Sequence, residues 1–221
     1  EFEDGKWQNL VNTHRKEDKN KFFLSLINLD RKQRRLFYDI GIEKYNSIME
    51  RSLNSRRQKG IFLSDDLSQE LTDDTVNFQQ SRWYTDTFFS ILHETDPSFN
   101  FITEKTFKCI LNLHPFVYCG NQEYIDFLKI IGFDTSSFIK IPAIITAKTF
   151  DVKIEQVKQI WRFIKNVSVL EKEDLWKYFY SDEFVESRIE NKKKLLDKSW
   201  CNNTVEKFTK IALDRMEEEW V

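Results

Sequence analysis

Three polar segments of the chain, each directly after an apolar run, carry the side chains best suited to chemistry. They supply amide, cationic, hydroxyl and carboxylate groups: Asn28, Arg31, Lys32, Arg34 and Arg35 after the first run, Glu94, Thr95, Thr103, Glu104 and Lys105 after the second, and Gly120 and Asn121 after the third. Cationic side chains and the N–H groups at a helix start bind phosphate oxygens. A carboxylate accepts hydrogen bonds from both hydroxyls of a ribose. The set therefore suits a nucleoside diphosphate.

These segments converge if the runs before them are neighbouring strands of a parallel sheet, because ligands bind beyond the carboxyl ends of such strands. Strands are predicted at residues 22–27, 87–93 and 115–119, followed by helices at 31–49, 103–113 and 122–131. Gly132 is predicted to end the last helix. Residues 51–82 are polar and predicted as loop, apart from a short strand at 61–63. The alternation indicates an α/β fold with helices on both faces of the sheet.

Three regions are predicted along the chain. Residues 1–20 form a polar lead-in that frays, residues 21–150 form the sheet domain, and residues 151–221 form a helical C-terminal extension. Apolar stripes at helical spacing in the extension are predicted to be core or docking faces. Their members are Ile154, Val157, Ile160, Trp161 and Ile164; Leu175, Trp176, Phe179 and Phe184; and Val205, Phe208, Ile211 and Ala212.

Composition excludes several classes of function. The net charge is −2, so no overall field attracts nucleic acid or an anionic membrane. No apolar run approaches the roughly 20 residues that span a bilayer. Cys109, Cys119 and Cys201 are widely spaced and odd in number, which indicates free thiols and a reducing, cytoplasmic location. Abundant Phe, Lys, Ile and Asn beside 5 Gly and 3 Pro indicate an AT-rich genome, such as that of a phage or a large virus.

Several candidate residues also have a purely structural explanation. Glu104 in the first turn of a helix is favoured by the macrodipole alone, by about 0.3–1 kcal/mol. The basic residues at 31–35 could form the solvated face of a helix. The acidic pairs at 65–66 and 73–74 resemble ligands of a metal–nucleotide complex, but the polar loop around them favours solvated side chains. The three histidines are too scattered for a metal site, and no metal site is predicted.

Segments 88–95 (Phe-Phe-Ser-Ile-Leu-His-Glu-Thr), 101–105 (Phe-Ile-Thr-Glu-Lys) and 115–121 (Pro-Phe-Val-Tyr-Cys-Gly-Asn) together resemble the donor-site signature of α1,3-fucosyltransferase-type enzymes. In that family a strand ends in a Glu-containing turn, a Thr-Glu-Lys helix start follows, and an apolar strand runs from Pro to Gly. The chain is even more similar to glycosyltransferases of phages and large viruses. Those enzymes continue with a helix and Leu-x-x-x-Gly-Phe, here at 128–133, and carry an upstream Asn with spaced basic residues, here Asn28, Lys32 and Arg35. The resemblance covers roughly residues 21–140.

The resemblance implies a Rossmann-like parallel sheet that forms the nucleotide-sugar-binding half of a GT-B glycosyltransferase. Such an enzyme transfers a sugar from a nucleoside diphosphate sugar to an acceptor hydroxyl on a glycan, a protein or a modified DNA base, without a metal or another cofactor. Glu104 would contact the ribose, and Lys105 and Arg35 would contact the diphosphate. Glu94 is the predicted catalytic residue, which orients the sugar. The other predicted donor-site residues are Asn28, Thr95, Thr103, Gly120 and Asn121.

The chain departs from these families in two respects. Residues 139–151 are apolar, where the viral enzymes have an acidic, Tyr-Asp-rich stretch and an Arg. No counterpart of the N-terminal acceptor domain is expected in the residues before the motif. A second hypothesis is therefore a non-catalytic interaction module, built on a degenerate transferase domain with a helical partner-binding half. It predicts exposed aromatic residues in that half: Trp161, Trp176, Trp200 and Trp220.

Overall fold

The computed structural model describes residues 14–27, 32–56, 61–62, 81–93, 104–119, 122–138, 150–200 and 202–204. A short 3-10 helix, Lys16–Asp18, precedes the first strand. The strands are β1 (Lys21–Ile27), β2 (Leu53–Arg56), β3 (Ile61–Phe62), β4 (Thr87–His93) and β5 (Phe116–Cys119). The helices are α1 (Lys32–Glu50), α2 (Ser81–Asp86), α3 (Glu104–Leu111), α4 (Gln122–Ile130), α5 (Phe150–Val167), α6 (Lys172–Phe179) and α7 (Asp182–Leu196).

The described strands form one sheet in the order β3-β2-β1-β4-β5. Strands β2, β1, β4 and β5 run parallel, and the edge strand β3 is antiparallel to β2. From β1 the chain passes through α1 to β2 on one side, and it later enters β4 on the other side of β1. The strand order therefore reverses between β1 and β4. In open α/β sheets, ligands bind in the crevice at such a reversal, beyond the carboxyl ends of the strands.

Two hydrophobic clusters cover the sheet. The adjacent residues Ile91 and Leu92 in β4, and Phe116 and Val117 in β5, fall in different clusters, as strand geometry requires. Phe89, Ile91 and Val117 belong to the cluster that includes α1, α5 and α6. Their neighbours Leu92 and Phe116 belong to the cluster that includes α2, α3 and α4. Helices therefore pack on both faces of a mostly parallel sheet, which confirms the predicted α/β class.

Trp161 joins α5 to α1 inside the first of these clusters. It is only 1% exposed, and its Nε1 donates to the carbonyl oxygen of Phe37 at 2.9 Å. Its ring stacks on those of Phe37 and Tyr45, with centroid distances of 4.7 and 4.9 Å. Gly41 permits this close approach, because a Cβ there would lie 2.6 Å from Cζ2 of Trp161. The prediction that Trp161 is exposed to bind a partner is therefore wrong.

Of the other three tryptophans that the second hypothesis predicts to be exposed, two are half-buried and the third is outside the described residues. Trp176 is half-buried and stacks on Tyr180 with a centroid distance of 4.3 Å. Trp200 is also half-buried and lies edge-on to Phe133 at 5.1 Å. Trp220 lies outside the described residues.

Most of the predicted elements are observed, with shifts of one or two residues at their ends. The strand at 87–93 has the predicted bounds. The predicted helix at 103–113 is shorter because Leu113 adopts a left-handed φ of 53°, after which His114 N donates back to Cys109 O at 2.9 Å. Gly132 has a φ of 93° just after α4, as its predicted role at the helix end requires.

The prediction that residues 51–82 are mostly loop is wrong at both ends of the segment, whereas the predicted short strand is observed at Ile61–Phe62. Strand β2 begins at Leu53, and α2 begins at Ser81. The sequence of β2, Leu-Asn-Ser-Arg, has no alternation of apolar and polar residues that would indicate a strand. Its conformation depends on pairing with β1, from Leu24 opposite Leu53 to Ile27 opposite Arg56.

Where the structure describes the C-terminal helices, their apolar stripes are core faces, as predicted. Val157, Ile160 and Ile164 are fully buried or nearly so, and they belong to the same cluster as β1 and β4. The stripe predicted from Val205 onward lies outside the described residues. None of the described helices is both long and apolar enough to cross a membrane.

The end of the predicted lead-in is packed rather than frayed. His14 is 7% exposed and Lys19 is 2% exposed. The Nζ of Lys19 donates to the carbonyl oxygens of Tyr84 and Thr87 at 3.0 and 2.8 Å, and it contacts Nδ1 of His14 at 2.9 Å. These contacts tie the segment before β1 to the start of β4.

Candidate functional site

Two cationic side chains meet at the carboxyl end of β4. Arg34 Nη2 donates to the carbonyl oxygen of His93 at 2.9 Å, and Lys105 Nζ donates to the same oxygen at 2.8 Å. Arg34 is the third residue of α1, and Lys105 is the second residue of α3. Both are therefore in the first turn of a helix, next to N–H groups that carry a partial positive charge.

The topology explains why these two helix starts converge. Helix α1 is the element after β1, and α3 is the element after β4. Because β1 and β4 are adjacent and parallel, both helices begin at the same edge of the sheet. This edge is also the point at which the strand order reverses. The two cations thus lie where an α/β sheet binds its ligand.

His93 contributes a buried imidazole to the same site. It is 1% exposed, and its ring lies edge-on to Phe37 with a centroid distance of 4.6 Å. Burial, and then the charges of Arg34 and Lys105, hold the pKa of His93 well below its usual value. The ring is therefore neutral at physiological pH. Neither ring nitrogen has a hydrogen-bond partner among the described residues.

In the basic run at 31–35, Arg34 is buried and Arg35 is exposed to solvent. Arg34 is 3% exposed, so the prediction of a solvated face is wrong for this residue. Arg35, the predicted diphosphate contact, is exposed, and its role stays a prediction. The helical repeat indicates the difference, because Arg34 shares a face with Phe37 and Tyr38, three and four positions later. Both of those aromatic residues are fully buried.

Among the other predicted site residues, only Glu104 falls within the described part of the chain. Its backbone begins α3, as predicted for a Thr-Glu-Lys helix start, and nothing is described of its side chain. The remaining ones lie outside the described residues: Asn28, Glu94, Thr95, Thr103, Gly120 and Asn121. Three of them directly follow the last residues of described strands, which are Ile27, His93 and Cys119.

Among the described residues, no three His, Cys, Asp or Glu side chains come close enough together to hold a metal ion. The acidic pairs at 65–66 and 73–74 lie outside those residues. His14 and His114, predicted to be scattered, have ring centroids 6.0 Å apart. Cys109 is buried and forms no disulfide, in agreement with the predicted free thiol.

The arrangement at the end of β4 is suited to an anion. Two charged donors and the N–H groups of two helix starts favour phosphate or carboxylate oxygens, and a neutral imidazole can donate one further hydrogen bond. No protein-family model, no curated protein and no solved structure matches this chain, so no relative narrows the choice of anion.

Proposed function

We propose that this protein is a glycosyltransferase that binds a nucleoside diphosphate sugar at the carboxyl edge of β1 and β4 and transfers the sugar to an acceptor hydroxyl. The observation that carries the proposal is the convergence of Arg34 and Lys105 on the carbonyl oxygen of His93. A structural helix start has little reason to hold a cation, because the charge opposes the positive end of the helix dipole. A diphosphate at this edge would carry the negative charge that favours two cations beside two helix starts.

The strand order supports the same proposal. The order β3-β2-β1-β4-β5, with its reversal beside β1, is that of dinucleotide-binding Rossmann-like sheets, although β3 is antiparallel here. We therefore propose that the sheet is the nucleotide-sugar-binding half of a GT-B enzyme. The sequence motif from residue 88 to residue 121 supports this assignment over other phosphate ligands.

In the proposed reaction, the oxygen of the acceptor hydroxyl bonds to the sugar and releases its proton. The bond between the sugar and the nucleoside diphosphate breaks, and negative charge develops on the leaving phosphate oxygen. Lys105 and Arg34 would stabilise this charge electrostatically, which requires no metal ion. Glu104 would accept hydrogen bonds from the ribose hydroxyls. Glu94 would orient the sugar, as the sequence resemblance implies.

The proposal predicts that nucleoside diphosphates and their sugar conjugates stabilise the protein against heat. A ligand at 100 times its dissociation constant adds about 2.7 kcal/mol to the free energy of unfolding. UDP, GDP, CMP and the corresponding sugar nucleotides are compared in a thermal-shift assay, with and without EDTA. We expect a stabilising ligand whose effect survives EDTA, and a slow release of the nucleoside diphosphate from the matching sugar nucleotide.

Lys105→Met should reduce the ligand-induced shift, and Lys129→Met is the matched control. Lys129 is an exposed lysine of α4 whose Nζ lies 3.5 Å from Asp126 Oδ1, away from the end of β4. An equal ligand-induced thermal shift in both variants would show that the ligand does not bind at the end of β4. Binding without any release of the nucleoside diphosphate would favour the hypothesis of a degenerate, non-catalytic domain.

A further inference from the structure

Two buried basic side chains attach the segment before β1, residues 14–20, to the amino edge of the sheet. His14 is 7% exposed and Lys19 is 2% exposed, whereas the residues between them are exposed or half-buried. The 3-10 helix Lys16–Asp18 has no buried residue of its own. A segment with so few buried contacts opens locally at a small cost in free energy. Its attachment therefore depends mainly on His14 and Lys19.

The hydrogen bonds of these two bases determine how many protons they hold. Nε2 of His14 contacts the carbonyl oxygen of Asn112, and a carbonyl oxygen only accepts, so Nε2 carries a proton. Nζ of Lys19 donates to the carbonyl oxygens of Tyr84 and Thr87 at 3.0 and 2.8 Å. Its third contact is Nδ1 of His14 at 2.9 Å, and a single proton fits between these two nitrogen atoms. Whichever base carries that proton, the attached pair holds one positive charge and not two.

The surroundings of the pair do not offset a second charge. No described carboxylate forms a salt bridge with His14 or Lys19. Burial, and then the charge of Lys19, lowers the pKa of His14 to about 3, which agrees with a pair that holds one charge. The charged and titratable groups that face the pair include more bases than carboxylates: Asp18, Asp86, His114, Tyr180, Arg188 and Lys192.

We propose that His14 and Lys19 form an acid-sensitive latch, which holds residues 14–20 on the amino edge of the sheet at neutral pH and releases them near pH 5.5 while the sheet stays folded. In water, both side chains are protonated below about pH 6.5, so the released segment holds one proton more than the attached one. Release therefore becomes about tenfold more favourable for each pH unit below 6.5. The latch is independent of the donor site proposed at the carboxyl edge.

Hydrogen exchange of the unaltered protein, followed by NMR at pH 7.5 and pH 5.5, tests the release. The backbone N–H of Asn20 reports on it, because it donates to the carbonyl oxygen of Asp86 at 3.0 Å. After correction for the intrinsic exchange rate, its protection should fall by about tenfold or more between the two pH values. The amides of β4 should stay better protected at both. Protection of Asn20 that does not change, or that equals that of β4 at pH 5.5, would overturn the proposal.

Nitrogen-15 NMR of the His14 imidazole at pH 7.5 tests the proton count without any release. Nε2 should carry a proton, because its partner is the carbonyl oxygen of Asn112. A neutral ring that carries its proton on Nδ1 would place two protonated nitrogen atoms against each other at the contact with Lys19. That result would contradict the pairing on which the latch depends.

His14→Gln keeps a donor for the carbonyl oxygen of Asn112 but removes a base, so it should reduce the pH effect on Asn20 exchange by about tenfold. Lys16→Met is the matched control, because Lys16 lies in the same segment but forms an exposed ion pair with Glu173. It should leave the pH effect unchanged. A pH effect as large in His14→Gln as in the unaltered protein would overturn the proposal.

Discussion

Arg34 and Arg35 are adjacent in sequence, yet they differ in almost every physical property that matters for binding. Arg34 is buried and donates to His93 O, whereas Arg35 is exposed. A buried, charge-assisted hydrogen bond contributes about 1.5–3 kcal/mol, whereas most exposed substitutions change stability by less than about 0.5 kcal/mol. The side chain that reaches the end of β4 is therefore the better candidate to bind an anion there.

We expect Arg34→Gln to weaken nucleoside diphosphate binding by tenfold or more, on the order of 1.4 kcal/mol, because one charged donor is lost at the site. Arg35→Gln should change the affinity by less than about threefold, which corresponds to roughly 0.6 kcal/mol. Both affinities are measured by calorimetry at a temperature where circular dichroism shows that the variants are folded. If Arg35→Gln weakened binding more than Arg34→Gln, Arg35 would be the residue that contacts the diphosphate.

The packing of α1 on α5 shows how one small residue determines the distance between two elements. Gly41 faces the six-membered ring of Trp161, and that ring is held on its two sides by Phe37 and Tyr45. The backbone of α1 departs from helical geometry at Tyr45, with φ −137° and ψ 32°. The ring is confined on these sides, so added volume at Gly41 has no free space to enter.

Gly41→Ala should destabilise the protein by about 1–3 kcal/mol, because overpacking a dense core costs this much. An ordinary helical glycine would show the opposite sign, since alanine is better in a helix interior by roughly 0.5–1 kcal/mol. Urea denaturation of Gly41→Ala, Trp161→Phe and the double variant measures the coupling. Trp161→Phe removes the clashing atoms and should reduce the penalty; strictly additive effects would show that the contact does not limit packing.

At the scale of the whole molecule, the buried histidines make folding sensitive to acid. Burial, and then the charge of Lys19, lowers the pKa of His14 to about 3, and the pKa values of His93 and His114 are also well below normal. In the unfolded chain these groups titrate near pH 6.5. Below that pH, the unfolded state binds protons that the folded state does not, so stability falls as the pH decreases.

Between pH 7.5 and pH 5.5, the three histidines together should lower the free energy of unfolding by about 4 kcal/mol. Lys19 adds to the loss only above its folded pKa of about 6, because below that value it is protonated in both states. Urea midpoints across this range measure the effect, and His14→Gln should reduce the loss by about 1.4 kcal/mol, the share of one histidine. A stability that does not change over the same range would mean that the histidines are protonated in the folded protein.

The sequence by itself determined the elements that have strong local patterns. The apolar runs of β1, β4 and β5 and the helices after them follow from the strand and helix repeats, and the end of α4 follows from the conformational freedom of Gly132. These features depend on residues within a few positions of one another. The α/β class and the placement of Lys105 at a helix start could be predicted for the same reason.

Only the tertiary structure decided which polar side chains are buried together. Arg34 and His93 are 59 positions apart, and Lys19 and Thr87 are 68 positions apart. No local repeat links such pairs, so the burial of Lys19 and the hydrogen bond from Arg34 to His93 O could not be established from the sequence pattern alone. Strand β2 is formed for the same kind of reason, because its four residues carry little pattern of their own and gain hydrogen bonds only when β1 and β3 lie beside them.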